Sequence, residues 1–363
     1  LLLLVPSIII IRPCSSYSTG APISVPVTVA PDGRGYLINV TMGRAPSVKP
    51  ATLFLDTGTD YTWVACDPNH ARTAGPHASI PCDFQRVSCH SPLCDSLKSS
   101  YGKQCNPDDC VLSMQYGDGT SLFSYLAIDV LNLGGGGGNG STRIAAFAFG
   151  AATVVSSASM DGYFDGLLGL GRGPLGLATA TEPDFGGVFS YCLPSATSNK
   201  QGFLQLGGDG YYAGRKGCVR LSTIWPRLDP AFYVLDVMSV TVGNTSHVPR
   251  RPIIVDSGTV FSSLDLPSYA AIHDAVRSSL DHAFPQAPPD PSNGLYTCYY
   301  YYYSNGRPII DSSFFDNANV TVPRVVFQFA DGVSYGPLTI EQMFFQEAST
   351  NSTGSGSGSG SGS

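Results

Sequence analysis

One heptapeptide occurs twice, and the second copy constrains the chain more than any other feature. Leu53-Phe54-Leu55-Asp56-Thr57-Gly58-Thr59 returns 200 residues later as Ile253-Ile254-Val255-Asp256-Ser257-Gly258-Thr259. In each copy three apolar residues read as the end of a buried strand. An Asp follows at the tip of a turn that the Gly lets close tightly. The lead-ins repeat too. Residues 36–40 run toward Gly43 and residues 233–237 toward Gly243, and each Gly precedes its Asp by 13 positions. A single Asp-Thr-Gly is an ordinary surface turn. Two in register, behind matched apolar strands, predict a duplicated lobe with one carboxylate from each copy meeting at a common seam.

Two carboxylates held on rigid turns suit acid–base hydrolysis. At about 3 Å they cannot both ionise easily, so they share a proton. The ionised member can then take a proton from a trapped water, while the protonated one polarises a substrate carbonyl. This chemistry calls for no metal, cofactor or covalent nucleophile, and it predicts an acid pH optimum.

The remaining composition agrees with such a chain. Its 363 residues allow two lobes, and only 13% are charged while Gly (41) and Pro (27) are plentiful. That predicts many short strands joined by turns rather than long helices. A net charge of −7 argues against a nucleic-acid partner. Six of the ten cysteines fall between Cys66 and Cys110 with no CxxC pair and no HExxH. Disulfides in an oxidising compartment account for them better than zinc, although six cysteines allow 15 pairings.

Residues 1–11 are apolar, interrupted by Pro6, and too short to span a bilayer. They resemble the apolar part of a secretory leader, so residues 1–20 are expected to be a leader remnant. The sequons at Asn39, Asn139, Asn244, Asn319 and Asn351 fit secretion, except that Asn39 lies inside an expected strand.

Along the chain, residues 36–40 and 52–55 read as strands. Met114 to Thr120 reads as a hairpin tip, with Asp118-Gly119 suited to a tight primed turn. Gly134 to Gly138 reads as a flexible loop. Gly171 to Gly176 matches G-x-G-x-x-G, but Pro174 and the lack of a long helix after it break the context of a nucleotide site. Residues 267–280 predict one helix with Tyr269, Ile272, Val276 and Leu280 on a shared face. Tyr299 to Tyr303 predict a strand or hairpin with packed rings. Residues 349–363 are a Ser/Gly-rich flexible tail.

The two Asp motifs, Trp63, Tyr116-Gly117 and Phe164-Asp165-Gly166-Leu167-Leu168-Gly169 resemble the pepsin-type aspartic proteases. The cysteine-rich insert, Tyr116-Gly117-Asp118-Gly119 and Phe189-Ser190-Tyr191-Cys192-Leu193 are similar to the nepenthesin-like plant branch. The resemblance covers residues 36–345. It implies an all-β, bilobed fold with a cleft between two pseudo-duplicated lobes and a few short helices. The lobes would be residues 30–194, with the insert and flap, and 195–345. Asp56 and Asp256 match the catalytic pair. Thr59 and Thr259, with Gly58 and Gly258, match residues that support it. Tyr116 and Gly117 match the flap over the substrate, and Trp63 matches the flap tyrosine's partner. By the same resemblance the protein acts on proteins or peptides as a secreted endopeptidase of the apoplast, cell wall or vacuole, without a membrane span. It is expected to be a monomer.

Three departures qualify this expectation. Little chain lies between the leader-like segment and the first strand, so an inhibitory prosegment is not expected. No counterpart of Leu167-Leu168-Gly169 follows Asp256, so the second lobe reads as C-terminally incomplete, with apolar surface beside the Asp256 turn and reduced stability or activity. Cys192 and Cys298 match family cysteines whose partners lie in that absent region. With Cys218 they leave an odd number, so a free thiol or a different pairing is expected. The competing reading is a non-catalytic binding protein on the same fold, similar to plant xylanase inhibitors. Those relatives tend to lose motif residues that are intact here. A wall glycoprotein rests only on the sequons and the tail.

Overall fold

The computed structural model describes residues 2–3, 9–11, 21–67, 80–97, 101–134, 142–156, 163–194, 201–208, 228–249, 252–289, 297–300 and 312–344. Gly135 to Gly138, Asn139, Tyr301 to Tyr303, Asn351 and the Ser/Gly tail lie outside them, as does most of the leader-like segment.

The principal strands are β1 (Leu2–Leu3), β2 (Ile9–Ile11), β3 (Ile23–Val29), β4 (Tyr36–Met42), β5 (Lys49–Asp56), β6 (Trp63–Asp67), β7 (Asp109–Gln115), β8 (Ser121–Leu133), β9 (Thr142–Ser156), β10 (Gly166–Gly169), β11 (Phe189–Cys192), β12 (Gly202–Leu206), β13 (Val234–Leu235), β14 (Val237–Val242), β15 (Ile253–Val255) and β16 (Val325–Phe329). Alternation shapes them. In β3, Ile23, Val25 and Val27 are buried while the residues between them face water. In β5, Ala51, Leu53 and Leu55 turn inward and deliver Asp56 at the strand's end.

In a 14-stranded sheet, twelve strands run in the order β2-β11-β12-β3-β4-β5-β10-β6-β9-β8-β7 and end on Gln104–Asn106, while Ile80–Pro81 pairs with β6 and Gln85–Arg86 with β8 off this path. The end of β8 also pairs with β4, through Leu131 and Met42, which closes part of the sheet on itself. β8 and β9 form a long hairpin bent at two bulges. The second lobe holds a three-stranded sheet, β1-β15-β13, and a four-stranded one in which β14 and β16 are central. The fold is thus mostly antiparallel β and bilobed, as expected. Among the described residues there is one long helix, α1 (Leu266–Leu280).

The main core lies under β3–β5 and β8–β12 and takes in Tyr233 and Val255 from the second motif's surroundings. The cysteine-rich insert packs its own cluster against Tyr61 and Trp63. A third cluster joins β14 and β16 to the Ala271, Ile272 and Ala275 face of α1.

Several details differ from expectation. The 118–119 turn is not a two-residue primed turn. Tyr116 N–H donates to the Thr120 carbonyl at 2.8 Å and Gly119 N–H to the Tyr116 carbonyl at 3.1 Å, and among these residues only Gly119 has a positive φ (88°). Five residues connect β7 to β8, so a wider turn closes with its one left-handed residue last. Tyr269 does not join the buried face of α1. It is 40% exposed and stacks on His273, because the first turn, with Leu266 76% exposed, stands clear of the sheet. Of the tyrosine run, Tyr299 lies in a short strand against Gln286–Ala287 and donates to Asp281, while Tyr300 is exposed. β12, beyond residue 195, still pairs with β3 and β11 in the large sheet. Two pieces of the leader-like segment, β1 and β2, are paired in the two lobes' sheets.

The insert cysteines pair as Cys66–Cys82, Cys89–Cys105 and Cys94–Cys110, three loops of equal sequence separation. Cys192 and Cys298 are free and half-buried.

Candidate active site

Asp56 and Asp256 are brought together by two strands that end at the same place. β5 and β15 each stop at the carboxylate, and each turn folds its Gly amide back onto it. Gly58 N–H donates to Asp56 Oδ1 at 2.7 Å, and Gly258 N–H to Asp256 Oδ1 at 2.8 Å. The two side chains share a hydrogen bond. The glycines are required by this approach. A methyl at Gly58 would lie 2.5–2.6 Å from the carboxyl atoms of Asp256, and one at Gly258 would overlap the carboxyl of Asp56. Neither space can be made without parting the pair.

Behind the carboxylates runs a two-fold set of hydrogen bonds. Thr57 N–H donates to Ser257 Oγ at 3.0 Å, and Ser257 N–H to Thr57 Oγ1 at 2.9 Å. Each hydroxyl then donates across the seam: Thr57 Oγ1 to the Val255 carbonyl at 3.0 Å and Ser257 Oγ to the Leu55 carbonyl at 2.8 Å. Both side chains are buried. Neither residue stands out in the sequence reading, although the 200-residue offset that pairs the Asp residues pairs these as well. Their role depends on facing each other, which a linear repeat does not display.

The supporting threonines are unlike. Thr259 Oγ1 donates to Asp256 Oδ2 at 2.7 Å. Thr59 Oγ1 instead accepts the Tyr61 amide at 3.1 Å, and it is the Thr59 backbone amide that reaches Asp56. Asp56 is only 7% exposed, whereas Asp256 is half-buried. Burial, and then the neighbouring Asp256 charge and its hydrogen bond, raise the Asp56 carboxyl well above the usual carboxylate range, against the lowering effect of the Gly58 and Thr59 amides.

The first turn is clamped by the strand that follows it in space. β10 lies parallel to β5, placing Gly169 beside Asp56. Beyond it Leu170 N–H donates to the Asp56 carbonyl at 2.8 Å and Gly171 N–H to the Thr59 carbonyl at 2.7 Å. Asp60, 4% exposed, accepts Tyr101 Oη at 2.6 Å and Leu175 N–H at 3.3 Å. Tyr101 comes from the disulfide-framed insert, so this bond ties the insert to the Asp56 turn. Sequence reading singled out neither residue, since an Asp directly after the motif, four positions beyond Asp56, looks like a solvated turn residue.

Tyr116 opens the hairpin tip and turns back toward the dyad. Its buried hydroxyl and the buried Nε1 of Trp63 have no hydrogen-bond partner within ordinary geometry, though the indole lies close enough to act on the phenol. Burial, followed by the Asp56 charge, pushes the Tyr116 phenol well above its usual value. A side chain at Gly117 would meet nothing within 4 Å, so the tip is open. Tyr61, fully buried, shares a 2.6 Å hydrogen bond with Ser124 of β8 and so joins the Asp56 turn to the base of the hairpin. Among the described residues no group of three His, Cys, Asp or Glu could hold a metal ion, and no helix is long and apolar enough to cross a membrane.

Comparison with known proteins bears on this geometry. A family model described as "Xylanase inhibitor N-terminal" matches residues 36–208. The chain is 30% identical over 328 residues to "Aspartyl protease AED1" of Arabidopsis thaliana, covering 86% of this chain and 62% of that protein. It is 28% identical over 319 residues to "Aspartic proteinase nepenthesin-2" of Nepenthes gracilis, covering 84% and 66%. It thus spans about six tenths of the length of most curated relatives it matches. Among solved structures, an aspartic proteinase from Irpex lacteus superposes with a TM-score of 0.56 at 18% identity, over 87% of this chain and 78% of that one. Conglutin gamma, a basic 7S globulin from lupine seeds, superposes with a TM-score of 0.60 at 17% identity, over 87% and 81%. At such identities the superpositions speak to the fold.

Proposed function

The chain belongs to the plant branch of the pepsin-like aspartic proteases, and from that premise we propose that it cleaves peptide bonds with a water activated between Asp56 and Asp256. The observation that carries this reading is the contact of the two carboxyls across the seam, locked from behind by the Thr57–Ser257 hydrogen bonds. Asp56, raised by burial, holds the shared proton and polarises the scissile carbonyl. Asp256 takes the proton of the attacking water. Collapse of the tetrahedral adduct returns a proton to the leaving amine. Gly58, Gly258, Thr59 and Thr259 hold the pair. Tyr116 and Gly117 form the lid that excludes water and strengthens the dyad's field, and Trp63 is the buried partner of Tyr116.

The substrates are proteins or peptides, and the enzyme works as a monomer in an acid, oxidising compartment outside the cell or in the vacuole. Residues 30–194 and 195–345 are its two lobes. The test is cleavage of a mixed peptide library across acid to neutral pH by the chain and by Asp256→Asn. Acid-dependent cleavage that vanishes in the variant is expected. Equal cleavage by both would sink the dyad, and so would a rate that stays flat well above neutral pH.

A second reading is a binding protein on the same fold. It draws on the description of the matched family model and on the 7S globulin neighbours. Tight binding to a glycan hydrolase that survives Asp56→Asn, with no cleavage by the folded chain, would favour it.

A further inference from the structure

Four hydrogen bonds close a circuit through both halves of the dyad. Leu170 N–H donates to the Asp56 carbonyl at 2.8 Å. The Leu170 carbonyl accepts Tyr233 Oη at 2.6 Å. The Tyr233 carbonyl accepts Val255 N–H at 2.9 Å, one residue before Asp256. The Val255 carbonyl accepts Thr57 Oγ1 at 3.0 Å, and Thr57 follows Asp56 in the chain. The circuit thus leaves Asp56 through its own carbonyl and returns through its neighbour's side chain.

Tyr233 is where this circuit passes from one half to the other. Its backbone lies beside the Asp256 strand, just ahead of Val234, which pairs with Ile254. Its side chain reaches back to Leu170, the residue after β10. The residue is 3% exposed, and its ring stands edge-on to Phe189 with the centroids 6.0 Å apart. A further bond runs alongside, from Arg172 N–H to the Ala231 carbonyl at 2.9 Å, so residues 170–172 and 231–233 are joined at two places. Phenylalanine at 233 would fill the same space, so packing alone does not call for the hydroxyl. What the hydroxyl adds is closure. An open chain of bonds lets its ends drift, whereas a closed one holds each member from two directions. The Thr57–Ser257 bonds tie residues 57 and 257 to each other. The Tyr233 path ties different atoms, the Asp56 carbonyl and the Val255 amide.

We infer that Tyr233 is a positioning residue of the dyad, its phenol and its backbone carbonyl together setting the separation of the Asp56 turn from the Asp256 strand. Small errors in the placement of reacting groups are costly in rate, so a brace at this point acts on the chemical step. The consequence for catalysis rests on the proposed peptidase reading; the coupling of the two turns does not.

Tyr233→Phe in the full chain tests this, with Tyr299→Phe as the control, since that phenol donates to the exposed Asp281 carboxylate. Backbone hydrogen exchange is read at Leu170 and Val255. Both amides should exchange about tenfold faster in Tyr233→Phe and at their original rates in Tyr299→Phe. A role confined to the Leu170 carbonyl would leave the Val255 amide protected, because its own acceptor is a backbone carbonyl that the variant keeps. The second readout is the pH dependence of thermal unfolding. Burial holds the Tyr233 phenol well above its usual value, so it stays protonated throughout, and Arg172 and Asp60, the charged groups that act on it, are unchanged. A merely structural loss lowers stability equally at every pH. Parting the dyad instead relieves the raised Asp56 carboxyl, so the fall in stability above about pH 4 should flatten. Peptidase kcat should drop about tenfold while KM holds. Equal Val255 exchange in Tyr233→Phe and the unchanged chain would overturn the brace, whatever the activity. So would an unfolding curve that drops without changing slope. A chain with no peptidase activity in which Tyr233→Phe releases Val255 and flattens the pH curve keeps the positioning role and refutes only the peptidase reading. If Tyr233→Phe does not fold, Phe189→Leu, which removes the ring that aims the phenol, should release the same two amides, and unchanged exchange there would overturn the brace equally.

Discussion

Replacing Ser257 with alanine removes one oxygen that does two jobs across the seam. It accepts the Thr57 amide at 3.0 Å and donates to the Leu55 carbonyl at 2.8 Å. Ser257 is 4% exposed and Thr57 is fully buried, so no water stands ready to replace the lost partner. A buried donor or acceptor left unmet costs about 1–3 kcal/mol. The Thr57 N–H bears that cost in full, and the Leu55 carbonyl, with a second lone pair, bears less. The expected loss is about 2–4 kcal/mol in urea unfolding, read as a lower midpoint at unchanged slope. Thr57→Val keeps the shape and deletes the two-fold related pair of bonds, to Ser257 N–H and to the Val255 carbonyl, so a loss of the same size is expected. The double variant should fall short of the sum by about 1 kcal/mol, because parting the seam once leaves less to part again. Both variants should lose more in kcat than in KM, since the dyad loosens while the rest of the cleft persists. A loss below about 0.5 kcal/mol in either single variant would refute the claim that these bonds hold the lobes together.

Four further outcomes follow from the same geometry. Asp56 is raised by burial and by Asp256, so the folded chain keeps a proton that the unfolded chain has released above the ordinary carboxylate value of about 4. Stability therefore falls as pH rises through that range, and Asp56→Asn should flatten the fall; an unchanged slope in thermal unfolding across pH would contradict it. Gly58→Ala should leave the lobes folded by circular dichroism but lower kcat by about 100-fold, because its methyl displaces the Asp256 carboxyl. Tyr116→Phe should change the unfolding free energy by less than about 0.5 kcal/mol, since the buried hydroxyl has no bond to lose, while Tyr116→Ala raises KM as the lid loosens. Tyr101→Phe should cost about 1.5–3 kcal/mol, because it strips a 2.6 Å donor from the buried Asp60 carboxylate; a neutral result would mean that the insert is not tied to the Asp56 turn.

What was legible in the chain is what repeats or alternates. The doubled motif locates both carboxylates and the strands behind them. The strands expected over residues 36–40 and 52–55 are β4 and β5, and the helical period of residues 267–280 gives α1. Features set by distant partners were not legible. The three disulfides follow from how the insert wraps Trp63 and Tyr61, which spacing does not encode. The wide tip at Tyr116 to Thr120 depends on the length of the connection between β7 and β8 rather than on the Asp-Gly pair within it. Tyr269 fits the helical period yet faces water, because period specifies a face and not what lies opposite it. Likewise, β15 beside Asp256 pairs with β13 on one side and with β1, from the far end of the chain, on the other, a pairing that the second lobe's own sequence does not display.

The two halves of the dyad are alike in backbone and unlike in surroundings, and the difference has a chemical direction. Each carboxylate receives its own Gly amide at 2.7–2.8 Å, so the turns contribute equally. The inequality comes from what is added around them. Asp256 gains the Thr259 hydroxyl and stays half-buried. Asp56 lies deeper, its threonine hydroxyl is engaged with Tyr61, and the buried phenol of Tyr116 sits within reach of its charge. Desolvation favours the neutral form of an acid, and a hydroxyl donor favours the charged form. In a pair with near-symmetric backbone geometry, burial thereby makes Asp56 the carboxyl raised above the usual range. Near-symmetry holds the groups at one distance, and in the proposed mechanism the unequal surroundings set their roles. Thr259→Val should therefore disturb the pH dependence of the rate more than Thr59→Val, because only the former removes a bond to a reacting carboxylate. Indistinguishable pH–rate profiles for the two variants would show that the surroundings do not set the direction of proton transfer.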